Sequence, residues 1–172
     1  MAQALVLPLL ERGRIPADQL LAVVGGSGSL EQRRGALPAG IVLVAADDPS
    51  AQQVWTAPVQ LLAVKPQQLD AVAAASGPVV GEPLLISVLA GVSLARLQHL
   101  FPGHRCVRAV PNTPALVGAG LTALAWGEGI DQGQRDQVRQ LFADVGEVLE
   151  LAEAKLDAFL ALTSSGPAFV AL

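Results

Sequence analysis

Seven short apolar runs, most of them rich in Val, Ile or Leu, constrain the fold of this chain more than any other feature. They cover residues 20–24, 41–44, 59–64, 84–88, 106–110, 121–125 and 148–151. Each run is apolar at mostly consecutive rather than alternate positions, which predicts strands that are buried on both faces. Helix-like segments lie between several runs, so the pattern predicts an α/β fold with a mostly parallel sheet covered by helices.

Local signals predict where four helices begin or end. An apolar segment from Ala2 predicts a helix that ends near Gly13 and has no N-cap. Pro66 suits the first turn of a helix running to about residue 75, and Ser93 is predicted to cap a helix over 94–100. Apolar residues repeat on one face of 134–145, and Gly146 is placed to end that helix.

A rigid polar loop follows the run 106–110. Pro111 and Pro114 bracket Asn112 and Thr113, and proline fixes φ and lacks the backbone donor, so neither a strand nor a helix continues through them. Open α/β sheets bind ligands at the carboxyl ends of their strands. The alternative is a structural loop whose side chains only satisfy backbone groups.

Composition argues against several function classes. The net charge of −4 and pI of about 5.0 argue against a nucleic-acid partner. The single cysteine, Cys106, excludes an internal disulfide and a multi-cysteine metal site, and a buried inert thiol is expected there. His99 and His104 have no acidic cluster nearby, so no metal site is predicted. No run is convincingly transmembrane and no signal peptide is apparent, which predicts a cytoplasmic protein with no membrane partner.

Five segments, taken in order, resemble pyrroline-5-carboxylate reductases. They are residues 1–5 (first helix), 63–67 (Ala-Val-Lys-Pro-Gln, the strand end under the dinucleotide), 86–93 (the next strand and turn), 108–114 (the loop beside the nicotinamide) and 164–168 (Ser-Ser-Gly-Pro-Ala, the entry to a helical domain). The resemblance implies a Rossmann-like, doubly wound dinucleotide-binding domain over residues 1–152, without the family's first strand and Gly-x-Gly loop. It also implies a linker and the first helix of a truncated all-helical domain over 153–172.

The family reduces the cyclic imine 1-pyrroline-5-carboxylate to L-proline with NADPH or NADH. The resemblance therefore implies an oxidoreductase of proline biosynthesis, homo-oligomeric through the C-terminal domain, with this chain an incomplete, weakly active or inactive fragment. The high hydrophobic content, 52% against 15% charged residues, also predicts a surface covered by a partner subunit or another domain. A protonated imine is already a good electrophile, so the task needs positioning and a dry site, and no catalytic side chain is assigned.

The resemblance also assigns site residues. The predicted cofactor contacts are Ser50, Ala63, Val64, Lys65, Pro66, Val88, Leu89, Ala90, Pro111 and Asn112, with Ser50 on the adenine side and the last two near the nicotinamide. The predicted substrate contacts are Ser165, Gly166 and Pro167. A solvated charge is the alternative role for Lys65, and helix capping is expected of Ser165 in any case.

Two points stay open at this stage. Residues 25–29 read Gly-Gly-Ser-Gly-Ser where relatives often hold a 2′-phosphate; one hydrogen bond from Ser27 or Ser29 and a flexible turn are the two interpretations. The function has two alternatives as well. One is a related two-domain reductase of another small acid, such as a hydroxyacid or ketopantoate-type enzyme, and the other is a non-catalytic relic of a nucleotide domain.

Overall fold

The strands form two parallel-rich sheets in the computed structural model, which describes residues 1–35 and 37–165, with only the backbone described at Ser165. The strands are β1 Leu21–Val24, β2 Val42–Ala45, β3 Val59–Leu62, β4 Leu84–Ser87, β5 Arg105–Val110, β6 Gly120–Trp126 and β7 Gly146–Glu150. β1 pairs with β2, and the larger sheet has the order β3-β4-β5-β6-β7. Every pairing is parallel except that of β5 with β6.

The described part of the chain holds six α-helices, of which the first precedes the strands and the others connect or follow them. They are α1 Ala2–Glu11, α2 Gly26–Arg34, α3 Leu69–Ala74, α4 Leu94–Leu100, α5 Gln132–Ala143 and α6 Leu156–Leu160, and α6 runs directly into a π-helical turn, Ala161–Ser165. Short 3₁₀ turns precede β1, β3, α3, β6 and α6. Within the described residues, none of the helices has the length and apolar character needed to span a membrane.

The larger sheet has an apolar core on each of its faces. Neighbouring residues of β4 point to opposite sides, so Leu85 joins one core and Ile86 the other. The first core packs against α3, α4 and α6, and the second packs against α1 and α5. A sheet covered on both faces explains why its central strands are apolar at consecutive positions. The structure therefore confirms the predicted α/β class with a mostly parallel sheet.

All seven apolar runs contain or overlap a strand, but one local prediction is wrong, and one of the two interpretations left open for residues 25–29 does not hold. α5 ends at Ala143 with Asp144 as its C-cap, whereas Gly146 is the first residue of β7, so Gly146 serves the strand and not the helix end. Residues 26–29 form the first turn of α2, so the Gly/Ser stretch is helical and not a flexible turn. Ser93 does cap α4, since its side chain accepts a hydrogen bond from the backbone N–H of Arg96.

Candidate functional site

The carboxyl ends of β4 and β5 lie side by side and frame a cleft. Ser87, the last residue of β4, is in register with Arg108 of β5, so the residues that follow Ser87 lie opposite those that follow Arg108. Both chains then leave the sheet. After β4 a turn contains Gly91 at φ +71°, and after β5 Pro111 cannot donate to a ladder.

The cleft has a volume of about 240 Å³. Its walls are mostly apolar: Met1, Val88, Leu89, Ala90, Ala109, Val110, Pro111, Thr113, Leu160 and Ser164. Four parts of the chain therefore meet there, namely the two strand ends, the start of α1 and the segment of α6 with its π turn. Binding sites for whole drug-sized ligands have volumes of about 300–1,000 Å³, so this cleft has room for one ring-sized end of a larger ligand.

Four of the residues predicted to contact the cofactor line this cleft: Val88, Leu89, Ala90 and Pro111. Asn112 follows directly, and its Oδ1 accepts a hydrogen bond from the backbone N–H of Leu121 at 2.8 Å. This bond fixes the loop after β5 to the start of β6. The side chain that the sequence singled out therefore has a structural task in addition to any contact with a ligand.

The predicted residues 63–66 lie at the same edge of the sheet but do not line the cleft. They follow β3, and Leu62 is in register with Ser87, so they flank the residues after β4. Lys65 is exposed and precedes the 3₁₀ turn Pro66–Gln68, where its backbone N–H donates to Oε1 of Gln68 at 3.2 Å.

Ser50 lies beyond the carboxyl end of β2, which belongs to the two-stranded sheet. It lies in the 3₁₀ turn Pro49–Thr56, which follows β2. Its Oγ donates to Oδ1 of Asp48 at 2.6 Å, and its backbone N–H donates to the same oxygen at 2.8 Å. These bonds hold the pKa of Asp48 below its usual value, and they make Ser50 part of a local cap.

The predicted substrate contacts fall at the end of the described chain. The backbone of Ser165 closes the π turn, while Gly166 and Pro167 lie outside the described residues. The neighbouring Ser164 lines the cleft and is exposed. π-Helical turns occur often at functional sites, which is in keeping with the position of this one.

Cys106 takes no part in the cleft. It is fully buried in the core beside α4, and burial raises the pKa of its thiol to about 11. The thiol therefore stays protonated at neutral pH and is a poor nucleophile.

Arg108 is the residue near the cleft to which the sequence assigned no role of its own. Its side chain is only 5% exposed and pairs with Glu153 and Asp157. The sequence does carry a signal for this ion pair, because an arginine inside an otherwise apolar strand is buried, and a buried guanidinium needs carboxylates as partners. The sequence could not say which ones, because the partners lie 45 and 49 residues away.

Curated relatives of the chain are pyrroline-5-carboxylate reductases. The enzyme of Synechocystis is 50% identical over 114 residues, which is 66% of this chain and 43% of that protein. The enzyme of Pseudomonas aeruginosa is 37% identical over 172 residues, which is 98% of this chain and 61% of that protein. The chain thus spans less than two thirds of the length of these relatives. No family model matches it.

Solved structures give the same result. A pyrroline-5-carboxylate reductase from Coxiella burnetii superposes with a TM-score of 0.81 at 28% identity, covering 98% of this chain and 62% of that one. A pyrroline carboxylate reductase from Plasmodium falciparum, solved with NADP bound, has a TM-score of 0.80 at 21% identity and covers 98% of this chain and 60% of that one. At that identity the second match supports the fold alone.

The parallel strands, the helices on both faces and the cleft at the strand ends define a Rossmann-like nucleotide-binding domain. Within that class, the chain matches the nucleotide-binding domain of pyrroline-5-carboxylate reductases in sequence and in fold.

Proposed function

We propose that this chain is the nucleotide-binding part of an NADPH- or NADH-dependent pyrroline-5-carboxylate reductase, which forms L-proline in the cytoplasm. The observation that carries the proposal is an apolar cleft at the carboxyl ends of β4 and β5 in a chain that is 37% identical to such a reductase along nearly its whole length. Fold alone would not select this substrate, because Rossmann-like domains serve many reactions.

The proposal extends to domain organisation. Residues 1–152 form the nucleotide-binding domain, and residues 153–172 lead into a helical domain through which the protein forms a homo-oligomer. The segment from Glu153 already supplies Leu160 and Ser164 to the cleft, so the substrate is expected to bind between the two parts. The partner is a small molecule, with no nucleic acid and no membrane involved.

The cleft fits the nicotinamide end of the cofactor. Its volume of about 240 Å³ suits one planar ring, and its apolar walls exclude water. The Plasmodium falciparum structure, which shares this fold, was solved with NADP bound. When bound, the reduced nicotinamide supplies the hydride that reduces the C=N bond.

Residues of this chain would hold the cofactor in three places. Val88, Leu89, Ala90 and Pro111, which line the cleft, would pack against the nicotinamide end, and residues 63–66 would flank them at the next strand end. Met1, at the N-terminus of α1, also lines the cleft, and no side chain of the described residues caps that helix. Its first N–H groups and its dipole therefore suit a pyrophosphate.

The chain's own part in the reaction is positioning. The walls keep water from the imine, so that a substrate held against the ring reacts without a strong acid or base. Thr113 and Ser164 carry the hydroxyl groups of the cleft, and they are expected to orient the substrate's carboxylate. Ser165, Gly166 and Pro167 are expected to continue this wall.

The experiment is a substrate comparison on the natural protein that contains this chain. Oxidation of NADPH and of NADH is followed with 1-pyrroline-5-carboxylate and, separately, with an open-chain keto acid. The proposal expects turnover of the imine and none of the keto acid. Turnover of the keto acid alone would establish the alternative reductase, and no turnover of either would establish a non-catalytic domain.

A matched pair of variants tests whether the cleft is the site. Ala90→Leu adds a bulky side chain at the cleft wall, whereas Ala95→Leu adds the same side chain on the exposed surface of α4. Ala90→Leu is expected to raise the KM for the dinucleotide at least about 10-fold, since about 1.4 kcal/mol of lost binding gives that factor. Ala95→Leu is expected to leave KM unchanged, and equal KM values for both variants would place the site elsewhere.

A further inference from the structure

Arg108 carries a buried charge directly beside the cleft. It is the fourth residue of β5, and the residues that follow it, Ala109 to Pro111, form the strand-end wall. Its side chain is 5% exposed. Taking a guanidinium out of water is costly unless carboxylates pair with it in good geometry.

Both carboxylates come from one segment of the chain. Nη1 of Arg108 donates to Oε1 of Glu153 at 3.3 Å, and Nη2 donates to Oδ1 of Asp157 at 2.8 Å. Oε1 of Glu153 also accepts the backbone N–H of Leu94 at 2.6 Å. Glu153 therefore joins β5, the start of α4 and the segment that leads into α6.

The same segment forms the opposite wall of the cleft. Leu160 follows Asp157 by three residues, so the two side chains lie on one face of α6, and both Leu160 and Ser164 line the cleft. A hydrogen bond from Oγ1 of Thr163 to the carbonyl of Phe159, at 2.9 Å, holds the π turn that carries Ser164. The guanidinium is thus one helical turn from the wall it anchors.

We propose that Arg108 is a positioning residue, which sets the distance between the strand-end wall and the wall of Leu160 and Ser164. The proposal rests on the function proposed above. With the walls at that distance, the substrate is held at the geometry needed for transfer from the ring, and a shift of about 1 Å can cost about 100-fold in rate.

The pairing of Arg108 with Glu153 and Asp157 is better explained by a role in positioning the two walls than by a contribution to the stability of the fold. Asp157 is 76% exposed, and water around an exposed carboxylate screens its ion pair, so this pairing adds little stability. Nε of Arg108 is buried and has no hydrogen-bond partner among the described residues, and a partly satisfied buried network is less stable than an apolar core. A lysine carries one compact ammonium and cannot reproduce the two-pronged contact.

Arg139 offers a matched control. It also joins two carboxylates, those of Asp136 and Glu150, but it lies on α5 and contacts the end of β7, and it does not line the cleft. Arg139→Lys therefore changes the same chemistry at a site without a positioning role.

The experiment compares Arg108→Lys, Asp157→Asn and Arg139→Lys in the natural protein that contains this chain. For Arg108→Lys, kcat with 1-pyrroline-5-carboxylate is expected to fall about 10- to 100-fold. The KM for NADPH is expected to stay within about 2-fold of the wild-type value, because the substitution leaves the contacts with the dinucleotide in place. Asp157→Asn is expected to lower kcat as well. Because the Asp157 side chain is mostly exposed, this variant is expected to fold, and it provides the test if Arg108→Lys does not fold. An unchanged kcat in the folded variants, or an equal fall in Arg139→Lys, would overturn the proposal.

Amide hydrogen exchange separates this proposal from the proposed function. Faster exchange over residues 156–164 is expected in Arg108→Lys and Asp157→Asn but not in Arg139→Lys, whatever the substrate is. A wild-type protein that does not reduce the imine contradicts the proposed function. Unchanged exchange over 156–164 in both variants contradicts the positioning role.

Discussion

Several polar residues fix the backbone, and two of them, Asn112 and Ser50, also look functional in the sequence. Asn112 holds the start of β6 through its Oδ1, Ser50 completes a cap with Asp48, and Ser93 caps α4. The capping role of Ser93 could be predicted because the partner is three residues away. The bond from Asn112 to Leu121 and the pairing of Arg108 could not, because their partners come close only in the folded chain.

His104 gives a prediction at the residue scale. It is buried among Trp55 and Phe101, whose rings lie edge-on to it with centroids at 6.3 and 5.8 Å. Neither ring nitrogen has a hydrogen-bond partner of normal geometry among the described residues, although the backbone of Phe101 and Pro102 partly offsets the effect of burial on its pKa. Burial lowers its pKa below the usual 6.5, so the unfolded chain binds a proton more readily than the folded one.

The contribution of neutral His104 to the free energy of unfolding is therefore expected to be fully present above pH 6.5. It is expected to be lost as the pH drops from 6.5 towards the lower pKa of the folded state. Urea denaturation between about pH 5 and about pH 8 measures this. His104→Phe should flatten the pH dependence of the free energy of unfolding. His99→Gln, at an exposed position, should leave that pH dependence unchanged. Equal pH profiles for wild type and His104→Phe would contradict the expectation.

At the scale of elements, periodicity and loop length predict different things. Consecutive apolar residues identified all seven strands, but they carry no information on direction. The reversed β6 could have been predicted from loop length, because only residues 111–119 separate β5 from β6, and a parallel crossover needs about a dozen residues or more. The start of α2 was missed because glycines and serines favour turns over helices.

Gly146 supports a prediction for the pairing of β6 with β7. Its φ is +152°, and a Cβ there would overlap the carbonyl of Gly120. Gly146→Ala is expected to lower the free energy of unfolding by more than about 2 kcal/mol, because both the backbone conformation and the strand contact oppose it. Urea midpoints measure the loss.

Gly28→Ala is the control for that substitution. Gly28 lies in the first turn of α2, and a Cβ there meets nothing within 4 Å. Alanine at a helical position is more stable than glycine by up to about 1 kcal/mol, so this variant should gain stability. A Gly146→Ala protein as stable as the wild type would show that the close approach of β6 and β7 is not present in solution.

At the scale of the whole molecule, the cleft exists because three layers end at one edge. The sheet supplies two strand ends, α1 begins there, and α6 approaches from the other face. The α/β class could be predicted from the apolar runs, whereas the strand-end residues at 88–90 and 111 were assigned by the resemblance to the reductases, and they meet in the cleft because neighbouring strands end at one edge. The contribution of Leu160 could not, because nothing local to α6 indicates which side of the sheet it covers.

The central claim is that the dinucleotide binds at this edge. Amide hydrogen exchange of the natural protein that contains this chain, measured with and without NADPH, tests it most directly. The account predicts slower exchange on binding over residues 88–92 and 109–116, and no change over α5, residues 132–143. Slowing over α5 with no change at the two strand ends, or no slowing anywhere at saturating NADPH, would contradict it.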